Sequence, residues 1–326
     1  MSTNYLKTSR QEIHIWEGRG PSWLSQVSDF ILWPAQKAAE KLIPQGLADK
    51  AASAIEKCLS GASSLSSHTI NFETIHKRVA KAAGSKPDLS ARLKAADDEA
   101  RTIWNLHLAM VAGEGAAAGT AGLPGLLVDI PALFGLVFRL MQEIGTCYGY
   151  DVTKPEEQEY ILQVLRTASA GELKTKMEAL LLLKELEQVL ISISWRKIGA
   201  DLAAKQLSKF SLSAVSQQLA KSLGMNLTKR KALQMVPIVG GLVGGSFNAM
   251  FAYEVGQAAY MSYRRRWIEE QGHGTYRATA ADLVPERKSR QTARKTTKPP
   301  APKGLGATAR LLKKPRAVRR IPAKKG

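Results

Sequence analysis

Two cysteines, Cys58 and Cys147, in a chain of 326 residues are too few for a disulfide framework, and a reduced, cytosolic setting is the simpler reading. Histidine is equally sparse. His14, His68, His76, His107 and His273 are dispersed, and none pairs with another at the i+3 or i+4 spacing of a helical metal site, so no metal is expected. No GxxxxGK[ST] phosphate loop occurs. The stretch GEGAAAG at 113–119 has GxGxxxG spacing and follows a helical pattern instead of a strand, and Gly244-Gly245-Ser246-Phe247-Asn248 lacks the last glycine of a nucleophile elbow. These absences leave no expected cofactor and favour a non-enzymatic role. Also missing is a basic segment leading into an apolar run at the N-terminus, MSTNYLKTSRQEIHIWEGRG, so no secretory signal is expected.

Alternating apolar and polar runs of the kind that make half-buried strands are hard to find, whereas helical periodicity runs through the chain. The expected fold is therefore all-α: a multi-helix bundle with two central glycine-rich helical segments and a disordered basic C-terminal tail. Trp23, Val27, Phe30 and Ile31 share one helical face that Pro34 ends. Further helices are expected near 35–60, 72–83, 89–112, 126–149, 156–169, 172–197, 198–222 and 239–270. Pro155 followed by Glu156 and Glu157 reads as a helix start, because proline suits the first helical position and acids favour the positive end of the dipole. Gly149 and Asp151 suit a helix stop and turn.

The first glycine-rich segment, 113–151, places Gly115, Gly119 and Gly122 on one smooth stripe suited to close helix packing or membrane insertion. Glu114, Asp129, Arg139 and Glu143 interrupt its apolar surface, at a cost of about 2.5–3.5 kcal/mol for a charge at a bilayer centre. With Pro124 and Pro131 added, a simple spanning helix is not expected. Arg139 and Glu143 are placed for a local i,i+4 ion pair. The second segment, 235–263, carries the overlapping pairs Gly240/Gly244 and Gly241/Gly245, and Glu254 is its first charge. The basic run Arg264-Arg265-Arg266-Trp267 follows directly, an arrangement expected at a membrane interface on the cytoplasmic side. Asp129, set in LLVDIPALF before a proline, is the candidate catalytic residue if the chain is a hydrolase. The alternative is a hydrogen-bonded acid supporting a helix start near Pro131.

Charge is distributed unevenly. Residues 286–326 hold 15 Lys/Arg and one acid, leaving +5 of the formal +19 for residues 1–285. This segment has no aromatic residue and many prolines, and cannot bury enough apolar surface to offset its ordering entropy. Lys313, Lys314, Arg316, Arg319 and Arg320, together with Arg264, Arg265 and Arg266, are the expected contacts to an anionic surface. An anionic membrane is the favoured partner; nucleic acid bound through the tail is the alternative, without base selectivity because no aromatic is interleaved.

The runs GLPGLLVDIPALFGLVFRLMQEIGTCYGYD (122–151), PEEQEYILQVL (155–165) and VPIVGGLVGGSFNAMFAYEVGQAAYMSYRRRW (236–267) resemble the signature blocks of the EcsC protein family, and WPAQKAAEKLIPQGLADKAASAIEKCLSGASSL (33–65) is similar to its N-terminal portion. The resemblance covers about residues 20–270, between an N-terminal extension at 1–19 and a linker at 271–285. It implies a mainly bacterial family named after a gene beside an ABC transporter, and so a transporter or secretion component as partner. Taken together, the sequence reads as a cytoplasmic accessory protein peripheral to the inner face of the cell membrane.

Overall fold

The computed structural model describes residues 2–20, 43, 46–67, 70–118, 122–196, 207–210, 212–233 and 246–271; the side chains of 2–3, 62–67, 112–129, 194–196, 209, 212–214, 226–227 and 229–247 fall outside this set. All of these belong to one unit, Met1–Pro285, while Glu286–Gly326 forms a second unit outside the described residues. Among the described residues the chain is all-α, with nine α-helices and no strand. They are α1 (Ser2–Gly18), α2 (Leu47–Ser67), α3 (Phe72–Ala83), α4 (Leu89–Ala118), α5 (Gly122–Cys147), α6 (Pro155–Ala168), α7 (Leu173–Arg196), α8 (Leu212–Leu233) and α9 (Ser246–Gln271).

Local chemistry sets several of these boundaries. Asn71 caps α3 by accepting from the Thr74 amide at 3.0 Å. Pro155 opens α6 with Glu156 and Glu157 in its first turn. At the end of α5, the Gly149 amide donates to the Thr146 carbonyl and the Tyr150 amide to the Gly145 carbonyl, the paired bonds of a Schellman stop, with Gly149 at φ +89°.

Helix α5 is the centre of the bundle, contacting α2, α3, α4, α6, α8 and α9. Its Phe134, Val137, Phe138, Leu140, Met141 and Ile144 are fully buried. Side chains of this kind stabilise by about 1.5–3 kcal/mol each on burial. The α4–α9 register is antiparallel: Trp104 meets Tyr253 and Tyr260, while the earlier Arg92 meets the later Trp267. Helices α5 and α9 run parallel, with Phe134 against Phe251 and Gly145 against Tyr263. The three helices thus have two distinct ends. At one end α4 finishes while α5 and α9 begin; at the other α4 begins while α5 and α9 finish.

Three expectations are corrected. Residues 1–19 are not an extension, because α1 packs on α4, α7 and α9 and buries Ile13 and Trp16. Pro131 does not start a helix; α5 passes through it, with the proline ring on an exposed face. The helix expected to end at 222 instead spans Leu212–Leu233, carried past Gly224 by close packing of that residue on Ala52 of α2. The helix expected at Trp23–Ile31 and the tail expected to be disordered lie outside the described residues.

Close helix approach makes glycine substitutions unequal. A Cβ at Gly145 would stand 2.7 Å from the ring of Tyr263, which is fully buried and has no room to retreat, whereas one at Gly135 on the same helix meets nothing within 4 Å. Gly145→Ala is expected to destabilise by about 1–3 kcal/mol, and Gly135→Ala to stabilise by about 0.5–1 kcal/mol through helix propensity. Urea unfolding of both variants measures the contrast.

Candidate functional site

Arg264, Arg265 and Arg266 on α9, expected on an anionic surface, are instead 1 %, 4 % and 4 % exposed. The physical reason is that each meets carboxylates inside the bundle. Arg264 Nε lies 2.8 Å from Asp97 Oδ2 of α4, a charge contact without hydrogen-bond alignment; its terminal nitrogens donate to Glu12 and to Ser9 Oγ of α1. Asp97 also accepts from the hydroxyls of Tyr5 and Tyr148 at 2.6 and 2.7 Å. Arg265 forks onto Glu187 of α7, at 3.0 and 2.6 Å, and reaches Glu17 of α1. Lys184 donates to the other Glu17 oxygen at 2.9 Å, and Tyr160 to Glu187 at 2.7 Å. Arg266 forks onto Glu157 of α6 at 2.8 and 2.7 Å, donates to Glu270, and lies over the rings of Tyr150 and Tyr160.

Fork-to-fork pairs of this kind combine two parallel charge-assisted bonds, which suits a buried guanidinium. Burial opposes ionisation of all three arginines, but Asp97, Glu187 and Glu157 respectively outweigh it and hold each pKa above the ordinary value. Glu17 shows the reciprocal effect: burial raises it, Arg265 and Lys184 more than compensate, and the pKa is lowered. For Asp97 burial wins over Arg264 and the tyrosine hydroxyls, leaving the pKa raised. Carboxylates outnumber cations around Arg265, because Glu269 stands beside Glu17 and Glu187. Burial first and the Glu187 charge second push Glu269 up to about 8.

Glu143 makes the anticipated contact with Arg139, at 2.9 Å, and meets the buried His107 at the same distance. Burial raises its pKa less than the bonds from His107 and Arg139 lower it. Glu254 gains no hydrogen bond at its buried Oε1. Asp129 lies on α5 and Gly115 and Gly122 on α4 and α5, with side-chain surroundings outside the described set. Gly119, Gly240, Gly241, Gly244, Gly245, Lys313, Lys314, Arg316, Arg319 and Arg320 lie outside the described residues. No cluster of metal-binding side chains occurs among the described residues. The network partners Glu12, Glu17, Asp97 and Glu187 had no local signal, and Glu157 was visible only as a helix-start acid.

The opposite end of the bundle has different chemistry. Leu106 and Met110 stand one turn apart on α4 at 60 % and 44 % exposure, Tyr253 near the start of α9 is 40 % exposed, and Pro131 and Ala132 on α5 are exposed. One stretch of α5, Ile130–Cys147, is long and apolar enough to cross a membrane, and 72 % of it is buried inside the bundle.

The sequence pattern of the EcsC protein family matches residues 7–268, from within α1 to the last turn of α9. The chain belongs to the EcsC protein family. This EcsC-family protein is 25 % identical to Protein EcsC of Bacillus subtilis (strain 168) over 210 residues, 62 % of this chain and 80 % of that one. It is 25 % identical to the uncharacterised protein YdbA of the same organism over 157 residues, 48 % of this chain, and so spans about half (52 %) of YdbA's length. No solved structure matches. The EcsC match encloses Arg264–Arg266 and their carboxylate partners on α1, α4, α6 and α7, while Tyr5, Glu269 and Glu270 lie just outside it.

The surplus carboxylate gives a signed pH dependence. With Glu269 near 8 in the fold against an ordinary 4.5, the folded protein binds more protons than the unfolded chain between those values, so stability falls as pH rises across that window. Glu159, pushed up to about 7 by burial and by Glu156, adds to the same slope. Glu269→Gln is expected to flatten this decline and to raise Tm above wild type at about pH 8.5 by several degrees, on a scale of about 2–4 °C per kcal/mol. Thermal unfolding from about pH 5 to 9 reads both effects.

Proposed function

We propose that this EcsC-family protein is a non-enzymatic accessory protein that docks reversibly on anionic membrane, at the inner face of the cell membrane, in the service of a transporter or secretion component. The observation that carries this reading is the contrast between the two bundle ends. Arginines that would be drawn to lipid headgroups are held inside at one end, while Leu106, Met110, Tyr253 and Pro131 are exposed towards the other. Large apolar side chains exposed on neighbouring helices are the expected mark of a contact surface.

The docking is shallow. Most of the spanning-length stretch of α5 is already committed to the core, so drawing it into lipid would dismantle the bundle. Apolar contact by a few side chains is weak, and the excess charge of 286–326 supplies the second signal, at about 1 kcal/mol per basic residue close to an anionic surface. The transporter link rests on the family's namesake gene. The hydrolase reading at Asp129 and the nucleic-acid reading through the tail concern groups outside the described side chains, and no observation favours either.

Flotation with phosphatidylglycerol-containing vesicles tests the proposal. The full chain is expected to float at low salt, and Leu106→Asp/Met110→Asp to weaken binding about tenfold while unfolding normally. Removal of 286–326 is expected to weaken it further and abolish the salt dependence. Failure of the full chain to float, or flotation indifferent to the α4 substitutions, contradicts docking through this end.

A further inference from the structure

At the charged end of the bundle a cleft of about 290 Å³ opens between α3, the start of α4 and the ends of α5 and α9. That volume lies at the lower end of the range for ligand pockets. Its floor is buried and largely apolar: Ala96, Cys147, Tyr148 and Trp267 are each less than 10 % exposed. Its rim carries two exposed basic side chains, Arg92 and His76, and the small exposed Ala80. The space exists because two helices stop on glycine beside it. Gly84 and Gly149 both have positive φ, and a Cβ built at either meets no atom within 4 Å.

Arg92 separates this cleft from the network behind it. Arg264, Arg265 and Arg266 behind it are held by carboxylates, whereas Arg92 makes no ion pair among the described residues; its guanidinium stands 5.9 Å from the centroid of the Trp267 ring. An arginine with free donors at the mouth of an apolar trough matches a ligand with one anionic and one flat apolar end, since the guanidinium fork fits a carboxylate and the trough has few polar partners to offer. We propose that the cleft binds a small aromatic carboxylate, its carboxylate on Arg92 and its ring among Ala80, Ala96 and Trp267. The site is independent of membrane docking: Trp267 lies about 21 Å along α9 from Tyr253, so the cleft faces water when the other end meets lipid.

The test uses the full chain, 1-naphthoate as probe and its neutral analogue 1-naphthalenemethanol, followed by ligand-observed NMR. Naphthoate is expected to bind saturably and the alcohol about tenfold more weakly. Arg92→Met should remove that preference by weakening naphthoate about tenfold, and Ala80→Trp, which fills the mouth from an exposed helix position, should block both probes. Thermal unfolding confirms that each variant is folded. Absence of saturable naphthoate binding overturns the proposal. So does binding that survives both substitutions, which would place the anion on other basic residues.

Discussion

Three consecutive buried guanidinium groups on α9 constrain everything around them. Successive residues of a helix point about 100° apart, so Arg264, Arg265 and Arg266 cannot share one acid and must be met from three directions. Helices α1 and α4 answer the first, α1 and α7 the second, α6 the third. An ion taken from water costs several kcal/mol unless its partner and remaining donors are satisfied. The arrangement of four helices around α9 is the condition under which these charges can be interior at all.

That constraint divides the molecule by chemistry. The charged end is densely ion-paired, with tyrosines Tyr5, Tyr148, Tyr150 and Tyr160 filling the space between ions with rings and donating to the acids. The other end exposes leucine, methionine and tyrosine side chains on α4 and α9. The first end provides a fixed platform, with a cleft whose Arg92 stands outside the ion network. The second exposes large apolar side chains that take no part in the ion network, and on the proposed docking it is this surface that would meet lipid.

The helices were legible because amphipathic stretches with good terminal signals need no tertiary information: α3 spans 72–83 as its pattern requires, and α6 and α7 fall within a residue of expectation. The membrane-like look of 264–267 misled because a run of arginines is read locally as solvated, while partners such as Ser9, Glu12 and Glu157 lie more than a hundred positions away. Helix α1 was missed for the same reason. Only Ile13 and Trp16 among its larger apolar residues are fully buried, and its value lies in Tyr5, Ser9, Glu12 and Glu17, polar residues whose use appears only beside α9. The cleft needs the conjunction of three helix ends and has no linear signature.

The most direct test of this account is to remove the middle arginine and follow the fate of fold and membrane binding in the same preparation. Arg265→Met leaves Glu17 and Glu187 without their shared guanidinium, and loss of one partner of a buried pair costs about 3–5 kcal/mol. The account predicts a Tm lowered by about 10 °C, with vesicle affinity of the still-folded protein unchanged at lower temperature. An unchanged Tm together with lost vesicle binding would contradict it, because the arginine would then be serving the membrane and not the fold.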